Sequence, residues 1–351
     1  MNKHICFIIP SLSAGGAERV VSILANHFAS TNYRISIVCL KNEVVYKIEK
    51  GIDIIFPGFK IPRNLSTLLK VAFYYRKTIQ RIKPDVILSF LEYYNEIAML
   101  SLIGIKKKIY LFDRNNPYLK EQNFLQTILR KYLYPKANGV VVQTQIACDY
   151  IKQKKLSTEI LVLPNPISDI KVDWISGTNK IITCVGRLEE QKNQKYLIKL
   201  FSELPNNEWK LQFVGDGSLR NELEKYVKFM KMEDKVNFLG IQKDVKDILS
   251  KSTIFAFPSL WEGFPNALLE AMAIGVPCIS NNCLTGPAEI IQDGFNGFLI
   301  EIDNEEDFKN KLLLLMTNIE LRKEFSKNSK NIRSLYTVNG ISAKLLWFIF
   351  K

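Results

Sequence analysis

Two carboxylates, Glu262 and Glu270, stand with seven residues between them where a predicted strand meets a predicted helix. Pro265 suits the first helical turn, because its missing N–H costs little there. Glu262 then lies in the loop before the helix, and Glu270 lies roughly 7 Å along the helix axis. Carboxylates accept hydrogen bonds from paired hydroxyls, which predicts one extended ligand with a ribose at Glu270 and a sugar ring at Glu262.

The alternative interpretation makes Glu262 a charge at a helix start and Glu270 a surface residue. Against it, Glu270 lies in the apolar stretch 267–273, where a carboxylate needs a partner. The backbone amides around the start of the helix face the same place as the two carboxylates. The helix-start residues expected to line the ligand site are Phe264, Pro265 and Asn266.

A second loop carries two cations, Arg187 and Lys192, just after the first strand of the second half of the chain. Arginine offers a planar fork and lysine a compact charge, so the two can converge on one anion, for which a diphosphate is the obvious candidate. The alternative is an ordinary solvated basic loop.

A third loop, with Gly15 and Gly16, joins the first predicted strand to the first predicted helix. Paired glycines let a ligand approach the backbone, and the following helix N-terminus offers free N–H groups. The spacing is not that of a dinucleotide fingerprint, and a tight strand-to-helix turn remains the alternative.

These loops depend on the strands and helices around them. Short β-branched runs alternate with amphipathic stretches, which is typical of βαβ units and a parallel sheet. The strands predicted in the first half are Ile5 to Pro10, Arg34 to Leu40, Ile52 to Phe56, Asp85 to Phe90, Lys108 to Phe112 and Gly139 to Gln143. Those predicted in the second half are Lys180 to Val185, Trp209 to Gly215, Val236 to Leu239, Ile254 to Pro258, Pro277 to Ser280 and Gly297 to Ile300.

The pattern predicts two doubly wound α/β domains facing a cleft, with ligands beyond the carboxyl ends of the strands. Pro164 and Pro166 interrupt the alternation. We therefore predict a first domain over 1–166, a linker over 167–179, a second domain over 180–334 and a final segment over 335–351.

The chain of 351 residues has a net charge of +13, and all of the excess lies in one half. Residues 1–166 hold 24 Lys and Arg against 11 Asp and Glu, whereas residues 167–351 hold 24 against 24. A one-sided basic surface suggests a polyanionic partner. Zinc-finger spacing and aromatic RNA-binding signatures are missing, which disfavours nucleic acid. The six cysteines fit no metal or disulfide pattern, so a reducing cytosol is expected.

The paired glutamates inside Ser259 to Met272 resemble the signature of retaining glycosyltransferases of family 4, which have the two-domain GT-B fold. Further segments agree in order and spacing, so the likeness covers nearly the whole chain. They are Gly15 to Arg19, Val185 to Arg187 with Gln191 to Asn193, Phe213 to Gly217, Phe238 to Gly240 and Gly286 to Ile291. The chain looks most like bacterial enzymes that build capsule, O-antigen or lipid-linked oligosaccharides.

By this resemblance the substrate is a nucleotide sugar, with UDP favoured, and no metal or other cofactor is required. Arg187 and Lys192 bind the leaving diphosphate, Glu270 holds the ribose and Glu262 holds sugar hydroxyls. Phe264 and Asn266 present backbone amides to the sugar. The residues that shape the rest of the donor site are Gly15 and Gly16 at the phosphate or sugar, and Gly215, Leu239 and Gly240 at the base. The family also implies that the C-terminal helix crosses back onto the first domain; a membrane-contact tail is the alternative.

The segment Asp113-Arg114-Asn115 follows a predicted strand at the place where many relatives carry a histidine. It resembles the Glu-Arg-Asn variant of some bacterial members, with Asp113 replacing Glu. Arg114 is expected to contact a donor or acceptor phosphate. The alternative is a turn in which Arg114 pairs with Asp113.

The predicted helix over 65–82 has an apolar stripe formed by Leu65, Leu68, Leu69, Ala72, Tyr75, Ile79 and Ile82. Basic residues fall on its opposite face: Arg63, Lys70, Lys77 and Arg81. Either this is an ordinary surface helix, or it contacts an anionic membrane surface, each near-surface cation contributing about 1 kcal/mol. The second interpretation predicts a cytoplasmic protein, peripheral at the inner face of the bacterial membrane, with a glycan or lipid-linked acceptor.

Two other functions have to be weighed against a glycosyltransferase. One is a GT-B sugar-nucleotide epimerase, which lacks such an acceptor surface. The other is a non-catalytic nucleotide-sugar-binding partner in a polysaccharide assembly complex. The joint presence of Arg187, Lys192, Glu262 and Glu270 argues against the non-catalytic alternative.

Overall fold

The computed structural model describes residues 2–58, 66–118, 124–157, 159–175, 179–205 and 208–351. The chain divides into two compact units. Unit 1 comprises Met1–Ser168 and Thr337–Lys351, and unit 2 comprises Asp169–Tyr336.

Unit 1 is built on a parallel sheet of seven strands, in the order β3-β2-β1-β4-β5-β6-β7. The strands are β1 (His4–Ile8), β2 (Arg34–Val38), β3 (Asp53–Ile55), β4 (Val86–Phe90), β5 (Lys108–Phe112), β6 (Gly139–Val142) and β7 (Ile160–Val162). The central strands are apolar throughout because helices cover both faces of the sheet. In β1, for example, Ile5 and Phe7 enter the core on one face, and Cys6 and Ile8 enter the core on the other.

Five helices of unit 1 follow its strands in turn. They are α1 (Gly16–Ser30), α2 (Ser66–Ile82), α3 (Glu92–Ser101), α4 (Phe124–Leu133) and α5 (Gln145–Gln153). Helix α2 buries Val71, Tyr75 and Ile79. The predicted position of Leu69 in the apolar stripe is wrong, because Leu69 is 72% exposed. At 3.6 residues per turn Leu69 is rotated about 100° from Leu68, which turns it away from the core.

Unit 2 has a parallel sheet of six strands, in the order β10-β9-β8-β11-β12-β13. The strands are β8 (Ile181–Val185), β9 (Lys210–Val214), β10 (Val236–Phe238), β11 (Ile254–Phe257), β12 (Cys278–Asn281) and β13 (Phe298–Ile300). Its helices are α6 (Gln194–Glu203), α7 (Arg220–Phe229), α8 (Val245–Ser250), α9 (Asn266–Ile274), α10 (Glu305–Thr317), α11 (Ile319–Ser329) and α12 (Ile332–Leu335). The predicted α/β class with two doubly wound domains is confirmed.

Part of the segment predicted as a linker packs on unit 2. The backbone N–H of Trp174 donates to the carbonyl of Ile274 at 2.9 Å, and its indole Nε1 donates to the carbonyl of Ser252 at 2.8 Å. Residues 169–175 thus belong to the second unit, while 176–178 lie outside the described residues.

The last helix, α13 (Val338–Phe350), belongs to unit 1, which confirms the predicted return of the C-terminus to the first domain. Its buried residues Leu345, Phe348 and Ile349 join the core that α1 covers. A larger residue at position 139 would disturb this packing, because a Cβ on Gly139 would lie 2.7 Å from the ring of Phe348. Within the described part of the chain, no helix is both long enough and apolar enough to cross a bilayer.

Candidate active site

The carboxyl ends of β8, β9 and β11 lie side by side in unit 2, and the loops that follow them carry the predicted donor residues. The N–H of Gly186 donates to the carbonyl of Val214 at 2.9 Å, and the N–H of Gly215 donates to that of Gly240 at 2.8 Å. Gly215 has φ +130°, and a Cβ there would lie 2.1 Å from the oxygen of Gly186. The two loops can approach this closely only because residue 215 is glycine.

The loop after β11 is tied to the loop after β8 by two hydrogen bonds. The N–H of Leu260 donates to the carbonyl of Gln191 at 2.9 Å, and Nε2 of Gln191 donates to the carbonyl of Trp261 at 2.6 Å. From the loop after β12, the hydroxyl of Thr285 donates to the carbonyl of Glu262. These bonds hold the backbone at Glu262 and next to it.

Lys192 and Glu262 form an ion pair between the two loops. The side chain of Lys192 is 15% exposed and that of Glu262 is 7% exposed. The ammonium group of Lys192 also lies 5.0 Å from the centre of the Phe257 ring, a cation–π contact. A largely buried pair of this kind is screened much less by salt than a surface pair.

Arg187, which the sequence groups with Lys192, has a different environment. Its side chain is 66% exposed, and its guanidinium pairs with Glu189 at 2.9 Å. Nε2 of Gln194 donates to the backbone carbonyl of Arg187 at 2.8 Å. The loop thus presents one cation that is largely buried and one that is exposed and paired with Glu189.

The helix α9 carries the second carboxylate, Glu270, which is buried. Pro265 precedes the first helical residue, Asn266, and a Cβ on Gly286 would lie 2.5 Å from the Pro265 ring. The N–H of Asn266 donates to the carbonyl of Phe264 at 3.1 Å. This amide, which the resemblance assigns to the sugar, therefore already has a partner inside the loop.

The predicted base pocket lies where β9 and β10 end. The N–H of Leu239 donates to the carbonyl of Phe213 at 2.9 Å, and Gly240 adopts φ +66°. This left-handed turn brings Gly240 against Gly215. Gly215 and Gly240, two of the three residues that the resemblance places at the base, are thus direct neighbours.

Thiol chemistry at this site is unfavourable. All six cysteines are buried. Burial raises the pKa of Cys184 to about 12 and that of Cys283 to about 12. At pH 7 both are thiols and therefore poor nucleophiles. The described residues contain no group of three or more His, Cys, Asp and Glu that can hold a metal ion.

In unit 1 the loop that carries Gly15 and Gly16 connects β1 to α1, as predicted for a strand-to-helix turn. Gly15 caps α1, which begins at Gly16, and the hydroxyl of Tyr46 donates to the carbonyl of Gly15 at 3.0 Å. Gly16 is exposed, and a Cβ at Gly15 would lie 2.2 Å from a carboxylate oxygen of Glu18.

The alternative in which Arg114 pairs with Asp113 is wrong. Asp113 pairs with Arg130 and also accepts the hydroxyl of Tyr134 at 2.7 Å. Burial raises the pKa of Asp113, and the positive charge of Arg130 opposes this shift. Arg114 instead donates to Oδ1 of Asn165 at 2.6 Å.

Two family models match consecutive parts of the chain. The model described as Glycosyltransferase Family 4 matches residues 14–169, and the model described as Glycosyl transferases group 1 matches residues 168–332. The chain belongs to glycosyltransferase family 4.

Relatives of this family 4 glycosyltransferase match it over most of its length. A Campylobacter jejuni protein named GalNAc-alpha-(1->4)-GalNAc-alpha-(1->3)-diNAcBac-PP-undecaprenol alpha-1,4-N-acetyl-D-galactosaminyltransferase is 29% identical over 98% of this chain and 98% of its own. An uncharacterized glycosyltransferase of Methanocaldococcus jannaschii is 31% identical over 72% of this chain and 67% of its own.

Among solved structures, a TarM mutant of S. aureus in complex with Fondaparinux, alpha-GlcNAc-glycerol and UDP has a TM-score of 0.83. It is 16% identical, over 99% of this chain and 100% of that chain. The likeness confirms the GT-B fold predicted for this glycosyltransferase.

Several contacts of the glycosyltransferase were not predicted from its sequence. Asn165 lies between the two prolines that suggested a domain boundary, and Glu92 begins α3. Oε1 of Glu92 accepts the N–H of Asn115 at 3.0 Å. Their positions in the sequence could have identified them, because both residues follow strands of a parallel sheet. Ligand-binding groups collect at the carboxyl ends of such strands.

Proposed function

We propose that this family 4 glycosyltransferase moves a hexose or N-acetylhexosamine from a UDP-sugar to a glycan or polyprenyl-diphosphate-linked acceptor. The reaction retains the configuration of the sugar, needs no metal, and serves the synthesis of a surface polysaccharide.

The observation that carries this proposal is the buried pair of Lys192 and Glu262, with Glu270 nearby in the chain on α9. A buried ammonium group supplies positive charge where a diphosphate departs. Two buried carboxylates supply acceptors for the hydroxyls of a ribose and a sugar. A nucleotide sugar contains all of these groups in one molecule, which is why we favour it over a simple phosphate ester.

The transfer step follows from these charges. The acceptor hydroxyl forms a bond to the anomeric carbon as the bond from that carbon to the diphosphate oxygen breaks. The electron pair leaves with the UDP, where Lys192 and the exposed guanidinium of Arg187 stabilise it. The proton of the acceptor hydroxyl passes to an oxygen of the departing phosphate, so no side chain has to act as the base. Glu262 holds the sugar during the exchange.

The acceptor class is supported by the names of relatives. Besides the C. jejuni protein, whose name specifies an undecaprenyl-diphosphate-linked glycan, another relative is named for UDP-Gal and alpha-D-GlcNAc-diphosphoundecaprenol. The UDP bound to TarM supports the choice of nucleotide. A sugar-nucleotide epimerase needs no glycan acceptor, and a non-catalytic partner needs no leaving-group cation.

The proposal extends to a membrane surface that holds such an acceptor, the inner face of the cytoplasmic membrane. We define the α2 outer face as Leu69, Lys70, Phe73, Lys77 and Arg81, which project on one side of the helix. Leu69 is 72% exposed and Phe73 is 67% exposed. Apolar side chains flanked by cations are the composition that binds the interface of an anionic bilayer.

A thermal-shift screen of nucleotide sugars tests the donor. A ligand at a hundred times its dissociation constant stabilises the folded chain by about 2.7 kcal/mol, which gives a measurable shift. We expect UDP and one UDP-sugar to raise the melting temperature with EDTA present. A shift with another nucleotide and none with UDP would contradict the choice of donor.

A further inference from the structure

Unit 1 buries two arginines that have different kinds of partner. Arg130 is 3% exposed and pairs with the carboxylate of Asp113. Arg114 is 7% exposed, and its NH2 group donates to the amide oxygen of Asn165 at 2.6 Å. Among the described residues, Nε of Arg114 has no hydrogen-bond partner and no ion pair joins Arg114 to a carboxylate. Arg130 therefore has a charged hydrogen-bond partner, whereas the side-chain partner of Arg114 is uncharged.

Burying a guanidinium that makes no direct ion pair is costly for the fold. Burial disfavours its charged form and lowers the pKa of Arg114 to about 9, although the negative charge of Glu92 opposes the shift. The rings of Phe90 and Phe112 lie 5.5 and 5.9 Å from the guanidinium carbon and compensate in part. An aspartate at position 165 would pair with the guanidinium directly, whereas Asn165 leaves its charge available to an anion.

Glu92, whose negative charge acts on Arg114, makes its hydrogen bonds in this loop with backbone and amide donors. Its Oε1 accepts the N–H of Arg114 at 3.2 Å and that of Asn115 at 3.0 Å, and its Oε2 accepts Nδ2 of Asn115 at 2.7 Å. Glu92 therefore fixes the loop that carries Arg114. Oδ1 of Asn165 is fixed in turn by Nε2 of Gln143 at 2.9 Å.

These residues come from four neighbouring strands. Glu92 follows β4, Arg114 follows β5, Gln143 follows β6 and Asn165 follows β7. The carboxyl edge of a parallel sheet is where ligands of doubly wound domains bind. The guanidinium is thus held by uncharged partners at the ligand-binding edge of unit 1.

We propose that Arg114 binds the diphosphate of a substrate, and that Asn165 is a positioning residue that orients the guanidinium without neutralising it. Arginine suits this anion because its fork matches two phosphate oxygens. The inference rests on the proposed function, since it requires a substrate with a diphosphate. The diphosphate belongs either to the donor nucleotide or to a polyprenyl-linked acceptor.

Two variants of the full chain test this proposal, with UDP and farnesyl diphosphate as probes in calorimetric titrations. Asn165→Asp keeps the hydrogen bond to Arg114 but places a carboxylate in direct contact with the guanidinium. Arg114→Gln removes the charge. Asn138→Asp is the matched control, because Asn138 is exposed in the same unit and its Oδ1 accepts the N–H of Ile109 at 2.9 Å.

Both variants should weaken the binding of one probe by about ten- to a hundredfold, the range for a hydrogen bond to a charged group. Their melting temperatures should stay equal to the parent's or rise, because Asn165→Asp gives the buried guanidinium a direct ion pair and Arg114→Gln removes the desolvated charge. Asn138→Asp should bind both probes as the parent does. Selective loss of farnesyl diphosphate assigns Arg114 to the acceptor, and selective loss of UDP assigns it to the donor.

Unchanged affinity for both probes in both variants would overturn the inference, whatever happens to stability. Weaker binding with a lowered melting temperature in Asn165→Asp alone would also overturn it, because a structural role of Asn165 then suffices. If the parent chain binds neither probe, the proposed function is wrong. This result differs from the two results above, in which the parent binds a probe and only the role of Arg114 or Asn165 is wrong.

Discussion

The ammonium group of Lys192 donates a hydrogen bond to Oε1 of Glu262, so the cation assigned to the diphosphate and the carboxylate assigned to the sugar are direct partners. In the proposed reaction, the donor exchanges this internal pair for two substrate contacts. Each group then acts on a different part of one molecule, and replacing either affects the charge of the other.

The first prediction concerns the leaving group. Replacing Lys192 or Arg187 by alanine should lower the rate of sugar transfer by about a hundredfold or more, which is roughly 2.7 kcal/mol of barrier. Initial rates with saturating donor measure this effect. Lys195→Ala is the control, because Lys195 lies on the neighbouring helix and pairs at the surface with Glu222. Equal rates in Lys192→Ala and Lys195→Ala would show that the buried ammonium group has no part in the reaction.

The second prediction separates the two carboxylates by titration with UDP, which has no sugar to transfer. Glu270→Gln should weaken UDP binding, because its partner is the ribose. Glu262→Gln should leave UDP affinity unchanged or higher, since it removes the charge that neutralises Lys192, while transfer falls. If both variants lost UDP affinity equally, the assignment of Glu262 to the sugar would be wrong.

The third prediction concerns the glycine that lets the two loops meet. Gly215→Ala should lower the free energy of unfolding of unit 2 by at least about 2 kcal/mol, because the new Cβ meets the oxygen of Gly186 at 2.1 Å. Gly294→Ala is the control, since Gly294 has φ +70° and open space around it, and should cost only about 1 kcal/mol. Urea unfolding followed by tryptophan fluorescence compares the two; equal losses would contradict the close approach.

Much of the fold could be predicted because parallel strands covered on both faces leave a strong apolar signal. The strand predicted over Lys108 to Phe112 coincides with β5. The short strand β7, Ile160–Val162, was missed, because three residues are too few to show a pattern. Leu69 was misplaced because hydrophobicity alone cannot tell a core position from an exposed apolar one.

The candidate site was only partly predictable. Residue type and spacing indicate that Lys192 and Glu262 are chemically important. Their ion pair, however, depends on two loops that are 70 residues apart in the sequence. Similarly, the contact of Arg114 with Asn165 spans 51 residues. Such partners are set by the order of strands in the sheet, which a local pattern does not contain.

The fourth prediction concerns the α2 outer face. The chain should bind anionic vesicles at low salt and be released as salt rises. The reason is that screening by salt shortens the reach of the attraction between surface charges to about 8 Å near 0.15 M. Changing Lys70, Lys77 and Arg81 to Glu should weaken vesicle binding. It should reduce transfer to a lipid-linked acceptor more than transfer to a short soluble analogue. Co-sedimentation with vesicles measures the binding.

A charge-matched control separates this surface from net charge. Lys225, Lys323 and Lys327 are exposed on unit 2, and changing them to Glu alters the net charge equally. This control should bind vesicles nearly as well as the parent. If the two triple variants bound vesicles alike, the α2 outer face would have no specific role in membrane contact.

The most direct test of the central claim is the release of UDP from a panel of UDP-sugars, measured in EDTA with and without a polyprenyl-diphosphate-linked acceptor. We predict that one UDP-sugar yields UDP at a rate that the acceptor raises. The glycosidic bond of the product should have the same anomeric configuration as the donor. UDP release that stops in EDTA and returns with Mg²⁺ would contradict the metal-free mechanism, and no release from any UDP-sugar would contradict the proposed donor.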